Sequence, residues 1–223
     1  MLEAADGNRF AAFVATPDEA KDVGVVVLPD VRGLYRFYEE LALRFAERGY
    51  PAIAIDYFGR TAGAAKRGDD FEYMPHVEQT TGDGIQADVA AAVAYLRTRA
   101  VFTVGFCFGG RHSWLAAASD HGLAGAVGFY GRPGLGGDGS PGPTQRAGEM
   151  KAPILALMGG DDPGIPLEQV EAFDSTLDGT GVEHEVVIYP DAPHSFFDRK
   201  FEQFAAESAD AWTRTLAFVE RYS

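Results

Sequence analysis

Cys107 is the single cysteine of this 223-residue chain, and it sits in Val104-Gly105-Phe106-Cys107-Phe108-Gly109-Gly110. An apolar run precedes it and a helix-compatible run, Ser113 to Ala118, follows. Gly-x-Cys-x-Gly between a strand and a helix reads as a nucleophile elbow with cysteine in place of serine. Glycines at 105 and 109 let the two elements approach closely while the central side chain projects from the sheet edge. A sulfur there faces a helix N-terminus, whose N–H groups and dipole favour thiolate over thiol. The same donors can hold an oxyanion. The N–H of Phe108 is the expected first donor, and Val31, in the loop after the 24–28 run, the second. The competing reading is a small buried hydrophobe, which does not require the flanking glycines.

A nucleophile of this kind needs a base and a group to orient it. Met158-Gly159-Gly160-Asp161-Asp162-Pro163 closes one apolar run, and Tyr189-Pro190-Asp191-Ala192-Pro193-His194-Ser195-Phe196 closes the next. The chain order nucleophile, carboxylate, histidine, each after its own strand, is that of the α/β-hydrolase fold. His194 is the expected base; histidines 76, 112, 121 and 184 lack that placement and read as surface or satisfied core. Asp161 and Asp162 are adjacent, and composition does not separate them. One is expected to cap the helix starting near Pro166 while the other faces the histidine.

The elements that position these residues follow from periodicity. Runs at 24–28, 52–55, 102–104, 126–129, 154–157 and 185–189 are almost uniformly apolar or β-branched, as strands covered on both faces are. Segment 10–15 could add an antiparallel edge strand. Phe37, Leu41 and Phe45, and then Ile85, Val89, Val93 and Leu96, recur at helical spacing. Helices are also expected at 167–177 and 204–222, the last with Trp212, Leu216 and Val219 on one side. The alternation predicts an α/β protein, a mostly parallel central sheet with helices on both faces, in a single domain over 1–223. Segments 59–84 and 131–148, rich in glycine, read as loops, the first long enough to act as a lid-like insertion near the site.

Composition narrows the function. With 33 acidic and 19 basic residues the formal charge is −14, so nucleic acid and anionic membrane surfaces are repelled on average. No apolar run reaches the roughly 20 residues that span a bilayer, and the first residues do not read as a secretory leader. A lone thiol fits a reducing compartment, so a cytoplasmic location is expected. No metal or organic cofactor is implied, and the expected partner is a small ester or lactone, with the protein a monomer or small homo-oligomer.

From Val23 to Tyr222 the sequence resembles the dienelactone hydrolase family, the carboxymethylenebutenolidase group of cysteine-dependent α/β-hydrolases. The resemblance rests on Gly105 to Gly110, the Gly-x-x-Asp-Pro pattern at Gly159 to Pro163, and His194-Ser195-Phe196 after a Tyr-Pro strand end. It implies Asp162 as the acid and His194 as the base. It also implies a glutamate that contacts the resting thiol and releases it when substrate arrives; this chain has Asp30 there, one methylene shorter, and Asp30 could equally anchor its loop. Arginines bind the substrate carboxylate in the family, which makes Arg32, Arg60 and Arg199 candidates against the alternative of solvated surface. Tyr130 and Ser195 complete the set of candidate contacts.

The reading is thus a cysteine hydrolase of small esters or lactones acting through a thioacyl-enzyme. Two rivals stand beside it. One is hydrolysis of other electrophiles, such as aryl esters or phosphotriesters, which a substrate panel separates. The other is a non-catalytic thiol sensor or binding module, which would not need the histidine and the aspartate.

Overall fold

Apolar runs become strands and amphipathic stretches become helices in the computed structural model, which describes residues 1–68 and 70–223. Seven strands form a mostly parallel sheet with helices between them, so the class is α/β, as the alternation predicts. The chain divides into two compact units, Met1–Thr103 and Val104–Ser223. No helix among the described residues is long and apolar enough to cross a membrane.

In the first unit, β1 (Leu2–Glu3) and β2 (Arg9–Phe10) make a short antiparallel ribbon. Then follow β3 (Ala12–Ala15), β4 (Val23–Leu28), α1 (Arg36–Ala46), β5 (Ala52–Ile55), α2 (Gly59–Ala62), α3 (Met74–Val77), α4 (Gly82–Leu96) and the start of β6 (Ala100–Phe106). The sheet order here is β3-β5-β4, with β3 antiparallel to β5 and β5 parallel to β4. Every residue of β4 and β5 is buried, the condition that selects continuous apolar runs over alternation. The edge strand starts later than expected because Phe10 pairs with Leu2 instead. On α1 the buried seam is Tyr38, Leu41, Ala42 and Phe45, with Phe37 only half-buried.

Segment 59–84 is not the plain loop the sequence suggests: it carries α2 and α3, and α4 already begins at Gly82. Thr81 sets that start, its Oγ1 accepting the Gly84 N–H at 3.1 Å. The segment is fastened by Arg67, whose Nη2 donates to Asp56 Oδ2 at 2.9 Å and whose Nη1 donates to the Ala62 carbonyl at 3.0 Å. Asp56 is fully buried and also accepts the N–H groups of Leu34 and Phe58 at 3.2 and 3.1 Å. Phe71 stacks on His76, which in turn bonds Thr61 Oγ1 at 2.9 Å. Asp69, within this segment, lies outside the described residues.

The second unit continues from β6 through α5 (Phe108–Ala117), β7 (Gly125–Phe129), α6 (Pro143–Arg146), a 3₁₀ turn (Ala147–Glu149), β8 (Ile154–Gly159), α7 (Leu167–Asp178), β9 (His184–Tyr189) and α8 (Ala205–Arg221). Strands β7, β8 and β9 are parallel neighbours, with Phe129 opposite Leu157 and Gly159 opposite Tyr189. That register brings their carboxyl ends level, which is where parallel sheets gather functional groups.

Three expectations shift here. Segment 131–148 holds α6 and the 3₁₀ turn, and it is wrapped round a cation: Arg111 Nη1 donates to the carbonyls of Arg132 (3.1 Å) and Gly134. A Cβ on Gly142 would meet that guanidinium and the Gly134 carbonyl, which explains a glycine there. Neither Asp161 nor Asp162 caps α7, whose N-cap is Pro166 with no side-chain bond; Asp162 instead closes its own turn, Oδ1 accepting the Gly164 N–H at 2.9 Å. The seam of α8 is Ala211, Thr215, Phe218 and Val219, one residue off the expected stripe. Thr215 tolerates burial because its hydroxyl donates to the Ala211 carbonyl at 2.8 Å.

Candidate active site

The elbow is built by backbone contact. A Cβ on Gly105 would overlap the Gly109 carbonyl and lie 2.8 Å from the Gly110 nitrogen. Neither neighbour is a side chain that could turn away. Gly105→Ala is therefore expected to lose more than about 3 kcal/mol of stability, read by chemical denaturation; a loss under about 1 kcal/mol would contradict this packing. The turn places Cys107 at φ 53°, ψ −110°, in the positive-φ region that non-glycine residues rarely occupy. Two bonds hold it there. Its N–H donates to Phe129 O at 2.9 Å and its carbonyl accepts the Arg111 N–H at 3.2 Å. The sulfur belongs to a half-exposed residue, not to a sealed core position. Phe108 opens the ten-residue helix α5 directly after it.

Two loops bring the other partners to this rim. The Gly160 N–H donates to Tyr189 O at 2.8 Å, and the Asp161 N–H donates to Ala192 O at 3.1 Å. Side chains at 159 and 160 would strike the carbonyls of residues 190–193, so the glycines allow the loops to lie against each other. Across this junction His194 Nδ1 bonds Asp162 Oδ2 at 2.6 Å. Asp162 is buried and its other oxygen takes the Gly164 N–H, whereas Asp161 is exposed and is engaged through its backbone. The pair that composition left open is separated by orientation.

Burial disfavours the charged form of His194, but the bond to Asp162 and the neighbouring Cys107 outweigh that, and its pKa is pushed up to about 10. A ring held in this way favours its protonated form, which can return a proton to a neighbouring group. His112, one turn along α5 from Phe108, shows the opposite behaviour: burial and then Arg111 lower its pKa to about 3, so it stays neutral. His184 and His76 have bonded partners within their own surroundings, Val182 O and Thr61 Oγ1.

Among the remaining candidates, Tyr130 and Ser195 fall beside the site in the second unit. Tyr130 is fully buried with its ring centroid 5.0 Å from that of His194. Ser195 is buried at φ 62° and its carbonyl accepts the Lys200 N–H. Arg199 is exposed. Val31, Asp30, Arg32 and Arg60 belong to the first unit. Val31 is half-buried. Arg60 is engaged by Asp88 at 2.6 Å and Asp6 at 2.7 Å. One residue that no sequence pattern marks is Arg132, whose Nη2 donates to the Gly164 carbonyl at 3.1 Å and so braces the Asp162 turn. A concavity of about 580 Å³ lined by Gly181–Glu185, Arg214 and Phe218 lies at the start of β9, the opposite end of that strand from His194. Volume alone does not pick out the reactive groups.

The family model for "Dienelactone hydrolase family" matches residues 10–223. The chain belongs to the dienelactone hydrolase family. An Escherichia coli strain K12 relative described as "Putative carboxymethylenebutenolidase" is 30% identical over 97% of this chain and 84% of its own length. A Klebsiella pneumoniae structure described as "Putative Dienelactone Hydrolase" superposes with a TM-score of 0.81 at 26% identity, covering 95% of this chain and 92% of that one. The promiscuous phosphotriesterase P91 from metagenomic libraries, described as dienelactone hydrolase-like, gives a TM-score of 0.73 at 26% identity, covering 93% and 88%. Within the dienelactone hydrolase family this member carries Asp30 fully buried, its carboxylate taken by Arg32: Nε at 3.1 and 3.0 Å, Nη2 at 2.9 Å, and the backbone N–H at 2.9 Å. These bonds make Asp30 an anchor of its own loop.

Proposed function

We propose that the protein hydrolyses small esters or lactones through Cys107. The observation that carries this reading is the half-exposed cysteine on a strained elbow, neighbouring an imidazole that Asp162 orients at 2.6 Å. Cys107 Sγ, its proton held by His194, attacks the acyl carbon. Charge collects on the carbonyl oxygen, where the N–H of Phe108, the residue after the nucleophile, is a donor of the right kind. The C–O bond to the leaving group breaks as His194 gives it a proton, leaving a thioester on Cys107. Water then adds to the thioester carbonyl with His194 as base, releasing the acid and restoring the thiol. Asp162 keeps the imidazole in one tautomer throughout and stabilises its charged form.

A slowly deacylating aryl ester such as p-nitrophenyl trimethylacetate tests the covalent step. Acid quenching during turnover should give a Cys107 peptide heavier by one trimethylacetyl group and labile to hydroxylamine. An acyl group on another residue, or steady turnover with an unmodified Cys107, would refute the mechanism. Attack at phosphorus is a second reading, favoured by the phosphotriesterase relative. The same trap with an aryl phosphotriester would leave a phosphoryl adduct on Cys107.

A further inference from the structure

Four non-glycine residues among those described have positive φ: Arg97, Cys107, Tyr130 and Ser195. Arg97 ends α4 in the ordinary left-handed cap. The other three are at the site: the elbow cysteine, the residue after β7, and the residue after His194. Strain of this kind persists where the surroundings over-determine it, and it concentrates at functional positions. Cys107 is accounted for by the elbow. Tyr130 has no such motif to explain it.

Tyr130 is fully buried at φ 37°, its N–H donating to Leu157 O at 2.8 Å, which extends the β7–β8 pairing past the end of β7. This conformation sets its ring between two others. The His194 imidazole is 5.0 Å away at 57°, and Phe196 is 5.5 Å away at 73°. Phe196 continues to Tyr189 at 5.0 Å, and the Tyr189 hydroxyl donates to Asp210 on α8 at 2.8 Å. A ladder of rings therefore runs from α8 to the imidazole. His194 needs such support, because its side chain is 35% exposed and the bond to Asp162 fixes one edge but leaves rotation about that bond. A tilted phenol ring against the imidazole removes that freedom.

We infer that Tyr130 is a positioning residue for His194, holding the imidazole aimed at Cys107. The inference rests on the Cys107–His194–Asp162 reading, so its test reads both turnover and the thiol itself. Misaiming a catalytic group by about 1 Å costs on the order of 100-fold in rate. Tyr130→Leu is therefore expected to lower kcat on p-nitrophenyl acetate by about 10- to 100-fold with KM changed by less than about threefold. A misaimed imidazolium supports a neighbouring thiolate less well, so the pH midpoint of alkylation by iodoacetamide should move up by about half a unit. Tyr130→Phe keeps the ring and should restore both readouts most of the way.

Phe173→Leu, a buried ring that packs on Trp114 and lies outside this ladder, serves as the control for a merely structural role, and Tyr130→Met is a longer, more flexible variant should Tyr130→Leu not fold. If Phe173→Leu, at equal loss of melting temperature, shifts the alkylation midpoint as far as Tyr130→Leu, the inference fails. It fails too if both Tyr130 variants fold with wild-type kcat and midpoint, or if both are unfolded at the assay temperature, which would assign Tyr130 to stability. An unchanged alkylation profile in His194→Ala is a different result: it would remove the underlying ion pair, not this residue's part in it.

Discussion

Cys107→Ala should reduce ester and lactone turnover by about 10⁴-fold or more in kcat, leaving only the acceleration that binding and oxyanion donors provide without a covalent step. The substitution deletes one atom from a half-exposed position and leaves the elbow's backbone bonds to Phe129 and Arg111 in place. Stability should consequently change by less than about 1 kcal/mol. The combination is diagnostic. A cysteine that merely filled space would show the reverse, a modest drop in stability with activity intact. Steady-state kinetics on p-nitrophenyl acetate with a parallel thermal melt measures both. Activity within tenfold of wild type would end the cysteine mechanism.

The second large effect separates two neighbouring aspartates. Asp162→Asn keeps the shape but replaces an anionic acceptor with a neutral amide that can donate to Nδ1, so the charged ring loses its stabilising partner and the neutral ring is held in the tautomer that cannot take the thiol proton. A loss of about 10³- to 10⁴-fold in kcat follows. Asp161→Asn should stay within about twofold, because Asp161 is exposed and its contribution to the loop junction is a backbone N–H. The pH dependence has a defined sign. A histidine whose folded pKa is raised from 6.5 to about 10 contributes stability that is fully present below pH 6.5 and fades as pH climbs through 10. Asp162→Asn removes one of the bonds that raise the value, so the fading should begin at lower pH. Denaturation midpoints collected from pH 6 to 10 would check this. A crippled Asp161→Asn beside an active Asp162→Asn would reverse the assignment.

The strands were legible because a buried parallel sheet leaves uniform apolar runs, and β4, β5 and β8 are buried at every residue. Helix existence was legible as well; the seams of α1 and α8 were legible in part, with Leu41, Phe45 and Val219 buried as expected, while Phe37 and Trp212 flank the seam that Tyr38 and Ala211 occupy. At the site, Cys107 announced itself through glycines whose need is local. The choice of Asp162 over Asp161 depends on how a turn of four residues folds back on itself, through Gly164 and Ile165, which composition does not encode. Arg60 illustrates the reverse limit. A cation in the right stretch of chain looked available to substrate, but its partners are Asp6 and Asp88, 54 and 28 residues away in sequence. The strain at Tyr130 leaves no trace in residue type at all.

The facing glycines at 159 and 160, laid against residues 190–193, bear on how such a protein could be re-engineered. Because each loop is the floor on which the other rests, neither can be lengthened, shortened or swapped alone without displacing its neighbour. Libraries that vary the two together, holding Gly159 and Gly160 constant, should retain far more folded members than libraries that diversify either by itself.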